Sequence, residues 1–400
     1  MNRIVVVGFL FALVANSIAQ TVSTKDDVAG RTGTNIISTP VSFLTISPDS
    51  RSAALGDAGV ALKPDANANY WNPAKLAWME DDMGASLSYA PWLRKLVNDM
   101  SLSYLSGYKK IRKEEAIGFY MSYFNLGQME FRDEDNISLG SRKPYELAIG
   151  GNYSRKLSKV LSVSLGLKYI YSNLTGGVEI NSGGVLTQTK PGKSAAADIG
   201  IYYNNEVVIG GRLFELGLGG NISNLGGKLS YTNNGQSDFI PTNLRLGTAL
   251  TTEIDEYNKI TFLLDFNKLM VPTPPTRDNT GAIIAGRDAN RGFVDGVFGS
   301  FADAPGGLSE ELKEFMISTG VEYWYTEFLA ARAGYFHESK LKGNRKYFTV
   351  GLGIVYNQLG FDFAYLIPRG RSNPLQDTLR FTLSYKVVSK SPLETDSIEE

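Results

Sequence analysis

The sequence predicts an all-β fold: a 14-stranded antiparallel transmembrane β-barrel with an N-terminal hatch segment in its lumen. Three observations lead there. Apolar residues recur with period two along most of the chain, the alternating segments run about nine to fourteen residues, and the connections between them alternate short and long. A soluble sandwich also alternates, but with strands of about five or six residues and no reason for loop parity.

Met1 to Ala19 carries one basic residue, Arg3, then the apolar run Ile4 to Ala15, and ends in Ser17-Ile18-Ala19 before Gln20. That is the pattern of a secretory signal peptide, residues 1–19. Its apolar core is too short for a membrane-spanning helix of about 20 residues. Residues 20–42 form a polar N-terminal arm, expected in the periplasm, and residues 43–83 do not alternate. Within that second stretch Arg51 to Leu76 is rich in Ala, Gly and Asn, as suits a segment packed inside a wide barrel.

The barrel is expected over 84–388. Its strands fall near 84–91, 99–107, 115–125, 145–155, 160–173, 194–204, 211–223, 241–252, 257–267, 315–326, 329–338, 346–357, 359–367 and 377–387. The pattern is plain at Leu161, Val163, Leu165, Leu167, Tyr169 and Tyr171, which share one face against Ser162, Ser164, Gly166 and Lys168 on the other. Tyr145, Tyr153, Tyr323 and Tyr325 lie near strand ends, where interfacial aromatic girdles belong. An even count and short turns at 108–114, 156–159, 205–210, 253–256, 327–328 and 358, facing long loops at 126–144, 174–193, 224–240 and 268–314, match an outer-membrane barrel. The tail 389–400 is polar and acidic and is expected in the periplasm.

Composition excludes several chemistries. The chain has 400 residues, no cysteine and one histidine, so it offers no disulfide scaffold, no thiolate metal site and little room for histidine-based catalysis. With 40 Lys and Arg against 41 Asp and Glu it has no basic excess for nucleic acid. No catalytic residue, cofactor site or metal site is predicted.

The residues before the barrel carry a family resemblance. The small-residue run leading to Ala68-Asn69-Tyr70-Trp71-Asn72-Pro73-Ala74 is similar to the hatch of FadL-like outer-membrane transporters, whose barrels have fourteen strands. More closely, Phe43 to Arg51 (FLTISPDSR), Gly56-Asp57-Ala58-Gly59-Val60, Pro64 to Ala68 and Trp71 to Lys75 resemble the PorV (LptO) family of the type IX secretion system of Bacteroidetes. The resemblance implies a non-enzymatic adaptor. Such a protein takes the C-terminal signal domain of cargo from an SprA-like translocon and presents it to a PorU-like sortase for attachment to lipopolysaccharide in the outer membrane. Asn72, Pro73 and Ala74 are the hatch motif it implies. Two alternatives stay open: a FadL-like channel for hydrophobic small molecules, disfavoured by expected lumen residues that are mostly small, polar or charged, and a structural anchor for a lipopolysaccharide-modifying enzyme.

The 268–314 loop is the candidate partner-binding element, because loops beyond about 15 residues are uncommon unless functional or disordered. Phe293, Val294, Val297, Phe298 and Phe301 are too apolar for a solvated tip. Ser309 to Lys313, with Glu310 and Glu311 in the first turn, suits a short helix. Weaker candidates are Asp133, Glu134 and Asp135 for a divalent cation or cation-bridged lipopolysaccharide, Arg369 and Arg371 for lipid phosphate, and the cluster Lys109, Lys110, Arg112 and Lys113 on a turn. His337 reads as a solvated loop residue.

Overall fold

The computed structural model describes residues 36–93, 97, 99–132, 136, 138–174, 179–182, 185–232, 237–369 and 378–387. The signal segment, residues 20–35 of the arm, Asp133 to Asp135, Arg371 and the acidic tail lie outside them.

Among the described residues fourteen strands close a barrel. They are β1 (Met83–Pro91), β2 (Ser101–Arg112), β3 (Glu115–Asn125), β4 (Tyr145–Lys156), β5 (Leu161–Asn173), β6 (Gly192–Ile209) and β7 (Arg212–Gly226), followed by β8 (Asn243–Asp255), β9 (Asn258–Leu269), β10 (Met316–Tyr325), β11 (Leu329–His337), β12 (Lys346–Tyr356), β13 (Leu359–Pro368) and β14 (Leu379–Val387). Each pairs antiparallel with the next, and β1 closes on β14 from Met83↔Val387 to Tyr89↔Phe381. Closure removes every sheet edge, which a wall in lipid requires.

The faces are inverted relative to a soluble protein. Leu165 and Leu167 are 56% and 68% exposed on the outside, whereas Ser162, Ser164, Asp198, Asp265, Glu322 and Arg332 are buried toward the lumen. Along β1 exposure alternates residue by residue, with Leu87 and Tyr89 outward and Ser86 and Ser88 inward. Such a barrel is soluble only in lipid. Of the tyrosines expected in a girdle, Tyr145 stands in a row between Tyr123 and Tyr171, with ring centroids 5.6 and 5.7 Å apart along the series.

Turns at one end are short and loops at the other are long, as the parity required. These are called the turn end and the loop end. Two boundaries differ from expectation for one reason. Strand β2 runs to Arg112, leaving Lys113-Glu114 as the turn, and β6 and β7 meet across Gly210-Gly211 alone. Both glycines have positive φ, 59° and 79°, the conformation a two-residue hairpin of this twist demands. The hydrogen-bond ladder continues past the apolar band, so charged residues that read as turn are still strand.

Residues 41–79 fill the lumen as short helical turns: a 3-10 turn Ser42–Thr45, α1 (Ser50–Ala53), α2 (Ala68–Trp71) and a 3-10 helix Pro73–Trp78. Phe43 and Leu44 pack with Leu102, Phe124, Ala148 and Ile170 at the loop end. Met79 lies at the turn end, where its carbonyl accepts from Lys110 Nζ at 2.8 Å just before β1 begins. The chain therefore descends the lumen from loop end to turn end. Residues 36–42 consequently sit at the loop-end mouth, and not at the turn end to which the arm was assigned. Ile36 and Ile37 line a cleft of about 270 Å³ with Leu269, Met316 and Arg345.

The loop 270–315 is structured. It carries a two-stranded ribbon (Thr276–Arg277 with Ile283–Ala285), α3 (Phe293–Gly299) and α4 (Leu308–Glu311), which continues into a 3-10 turn Leu312–Glu314. The expected helix is present there.

Candidate functional site

The hatch is fastened to the wall by the residues that form its sequence motifs. Asp49 caps α1 by accepting from Ser52 N at 2.9 Å and accepts from Trp71 Nε1 at 2.6 Å, tying the two hatch helices together. Ser50 N donates to Thr382 Oγ1 at 2.9 Å, and Thr382 Oγ1 lies 2.8 Å from Ser88 Oγ, so one hydroxyl joins the hatch to both strands of the β1–β14 seam. Arg51 forks onto Glu322 at 2.8 and 2.9 Å and meets Asp65 at 3.0 Å. Glu322 also accepts from Arg332 at 2.7 Å, and Arg332 reaches Asp362 at 2.6 Å. These five groups form one buried network between hatch and wall.

The Gly56 to Val60 motif follows the same logic. Gly56 N donates to Thr349 Oγ1 at 2.9 Å, the Asp57 carboxylate accepts from Tyr347, and Gly59 N and Val60 N both donate to Asp265 Oδ2, at 2.7 and 3.0 Å. Lys75, 2% exposed, donates to the carbonyls of Gly59 and Leu62 at 2.6 and 3.0 Å.

The predicted hatch motif is assembled. Asn72 is extended and fully buried; its side-chain nitrogen donates to Val60 O at 3.2 Å and Ile201 O at 2.9 Å, while Oδ1 accepts from Ala74 N. Pro73 starts the 3-10 helix, where its missing N–H costs nothing. The carbonyl of Ala74 accepts from Ser162 Oγ at 2.7 Å.

Wall glycines permit this approach. A Cβ on Gly334 would stand 2.1 Å from Gly56 N and Leu55 C, and one on Gly219 would stand 2.3 Å from Val60 O. Both meet backbone that cannot swing aside. Gly334→Val is expected to leave the barrel inserted and loosen the hatch, since overpacking costs about 1–3 kcal/mol. The check is protease cleavage within residues 40–80, which should quicken by about tenfold.

The loop-end cap is pinned by charge. Lys268, fully buried at the end of β9, pairs with Glu314 and with Glu311 at 3.2 Å, and Lys342 meets Glu310 at 2.6 Å and Glu314 at 2.9 Å. Glu311 accepts from the backbone of Asp303 and Ala304, and Asp303 pairs with Arg291. Burial pushes the Asp303 carboxyl above its ordinary value, and Arg291 pulls it back down.

On this fixed loop the five apolar candidates part company. Val297 is fully buried and Phe293 half-buried, both packed with Phe239, Met270 and Val271. Val294, Phe298 and Phe301 are exposed, at 67%, 59% and 38%. Val294 and Phe298 are four residues apart and share one face of α3. Leu308 and Leu312, which the sequence reading passed over, are similarly spaced and also exposed.

The remaining candidates do not converge. His337 is half-buried at the end of β11 beside Tyr335, and Arg369 is exposed on the loop end. Among the described residues no group of three His, Cys, Asp or Glu side chains is placed to hold a metal ion.

Comparison with known proteins gives a family and a fold. The family model described as "Type IX secretion system protein PorV" matches residues 29–276. No curated protein sequence matches the chain. Among solved structures, a TodX deltaS2S3 mutant, a monoaromatic hydrocarbon channel, is 14% identical with a TM-score of 0.51, covering 85% of this chain and 99% of its own. The CymD monoaromatic hydrocarbon channel is 12% identical with a TM-score of 0.50, covering 88% and 100%. The Ralstonia pickettii toluene transporter TbuX is 11% identical with a TM-score of 0.47, covering 85% and 98%. At these identities the likeness to the first two is one of fold alone.

Proposed function

Because the chain belongs to the PorV family of type IX secretion system proteins of the outer membrane, we propose that it is the non-enzymatic adaptor of that system, with its loop end facing outward. It takes the C-terminal signal domain of cargo from an SprA-like translocon and passes it to a PorU-like sortase for anchoring to lipopolysaccharide. The observation that carries this reading is the match to the PorV family model over residues 29–276, and the occupied lumen adds where a partner can bind. Hatch residues bond to β2, β5, β6, β9, β10, β12 and β14, so the chain's offer to a partner lies at its rims and loops. Exposed apolar side chains on a loop held by buried ion pairs support docking at the loop end, because a rigid apolar surface loses little entropy on binding.

A strain lacking the protein is expected to retain cargo in the periplasm, and a tagged copy restored to it should recover translocon, sortase or cargo domains by affinity capture. Recovery of none of these, with saturable uptake of a hydrophobic small molecule instead, would overturn the adaptor in favour of a channel.

A further inference from the structure

The turn-end rim is electrically divided. Lys109 and Arg155 on the outer faces of β2 and β4, and Lys113 and Lys159 in the turns that follow those strands, are all exposed, whereas Glu253, Asp255, Glu256 and Glu327 are exposed on the rim formed by β8–β11. Acidic neighbours of the basic arc include Asp82, half-buried just before β1 with its carbonyl accepting from Lys110 N at 2.7 Å, Glu114, which is exposed, and Glu115, which is buried between Arg112 at 3.5 Å and Arg155 at 3.6 Å. Among the described residues no ion pair engages Lys109, Lys113 or Lys159. Lys110 and Lys156 turn inward instead, onto Met79 O and over the Trp78 ring.

The basic arc borders the lipid face directly. Lys109 is in register with Ile117, Ile117 with Tyr153, and Tyr153 with Leu165, an outward row that runs from a cation through an interfacial tyrosine to aliphatics exposed to the bilayer. Ile111 and Leu157 flank the lysines and are themselves 48% and 59% exposed. A protein partner binding below the rim would not need cations on the side of the wall that faces lipid. Lysines with long apolar stems there reach the level of headgroup phosphates while their stems stay in contact with acyl chains.

We infer that the β2–β5 turn-end rim is a binding surface for anionic phospholipid of the adjoining leaflet, and that the acidic arc opposite excludes it. The inference goes beyond the adaptor role and rests only on the placement of the barrel in a membrane. A basic residue at a membrane surface contributes about 1 kcal/mol toward anionic lipid, so the arc should raise the ratio of anionic to neutral lipid bound there by about fivefold over its bulk value.

The test is the full mature protein in nanodiscs of phosphatidylcholine with one quarter phosphatidylglycerol, with retained lipids counted by native mass spectrometry. Wild type is expected to retain phosphatidylglycerol in that excess. The variant K109Q/K113Q/K159Q, which breaks no ion pair, should fall to the bulk ratio, K109R/K113R/K159R should keep the excess, and E253Q/E256Q/E327Q should not reduce it. Unchanged enrichment in the glutamine variant overturns the proposal. So does a glutamine variant that keeps its lipid and loses instead a co-purifying soluble protein, which would make the arc a protein-docking surface.

Discussion

Aspartate at Val294, Phe298 and Phe301 together is expected to weaken capture of a cargo C-terminal domain by at least about thirtyfold, the effect of losing one hot-spot contact of about 2 kcal/mol. These three side chains are exposed on a loop whose position is set elsewhere, by Lys268 and Lys342 against Glu310, Glu311 and Glu314. The changes at Val294 and Phe298 therefore alter only the presented surface, whereas Phe301 also lies with its ring 5.4 Å from Lys268 Nζ, so the double variant at Val294 and Phe298 serves as the control that leaves the support untouched. Val297 must stay, because it is fully buried against Phe239 and Met270, and a charge there would unseat α3. The measurement is retention of the purified variant on an immobilised cargo domain, with the heat-induced gel shift of the folded barrel as control. Wild-type retention by the triple variant would remove this loop from the docking surface.

Glu322→Ala should be the most damaging single change in the lumen. It removes the carboxylate that joins the two guanidinium groups and leaves Arg51 with Asp65 and Arg332 with Asp362 as sole, more exposed partners, so a loss toward the lower end of the roughly 3–5 kcal/mol for breaking a buried pair is expected. Asp65 and Asp362 hold the outer ends of the network but are more exposed, at 26% and 17% for their side chains, so Asp65→Asn and Asp362→Asn are expected to cost less. The midpoint temperature of the gel shift should fall furthest for Glu322→Ala, and a midpoint equal to that of Asp362→Asn would contradict the network.

Much of the barrel was legible because its code is local. Alternate residues declare their face, and turn length declares the end of the barrel, so strand number and loop parity follow from short windows of sequence. The hatch was legible only as a block of motifs. Its function as a fastener depends on partners such as Asp265 for Gly59, Glu322 for Arg51 and Thr382 for Ser50, each 200 or more positions away along the chain. In the strands those partners read simply as polar lumen residues. The inward glycines Gly219, Gly320 and Gly334 look in the sequence like any other small lumen residue, although a glycine inside a strand marks a place where another backbone comes close. The loop's apolar residues stand out in the sequence as a group, but composition cannot distinguish Val297, which anchors the helix, from Val294, which it presents.

Thr382 gives the molecule a temporal order as well as a spatial one. Its hydroxyl belongs to the last strand, yet it is the group that Ser50 in the hatch and Ser88 in the first strand both require. Until β14 arrives the seam is open and α1 lacks this anchor, so wall closure and plug seating are completed by the same event. A barrel still lacking β14 would be unzipped at its seam while its hatch held to the other strands without this last anchor, so the final strand both closes the wall and completes the seating of the plug.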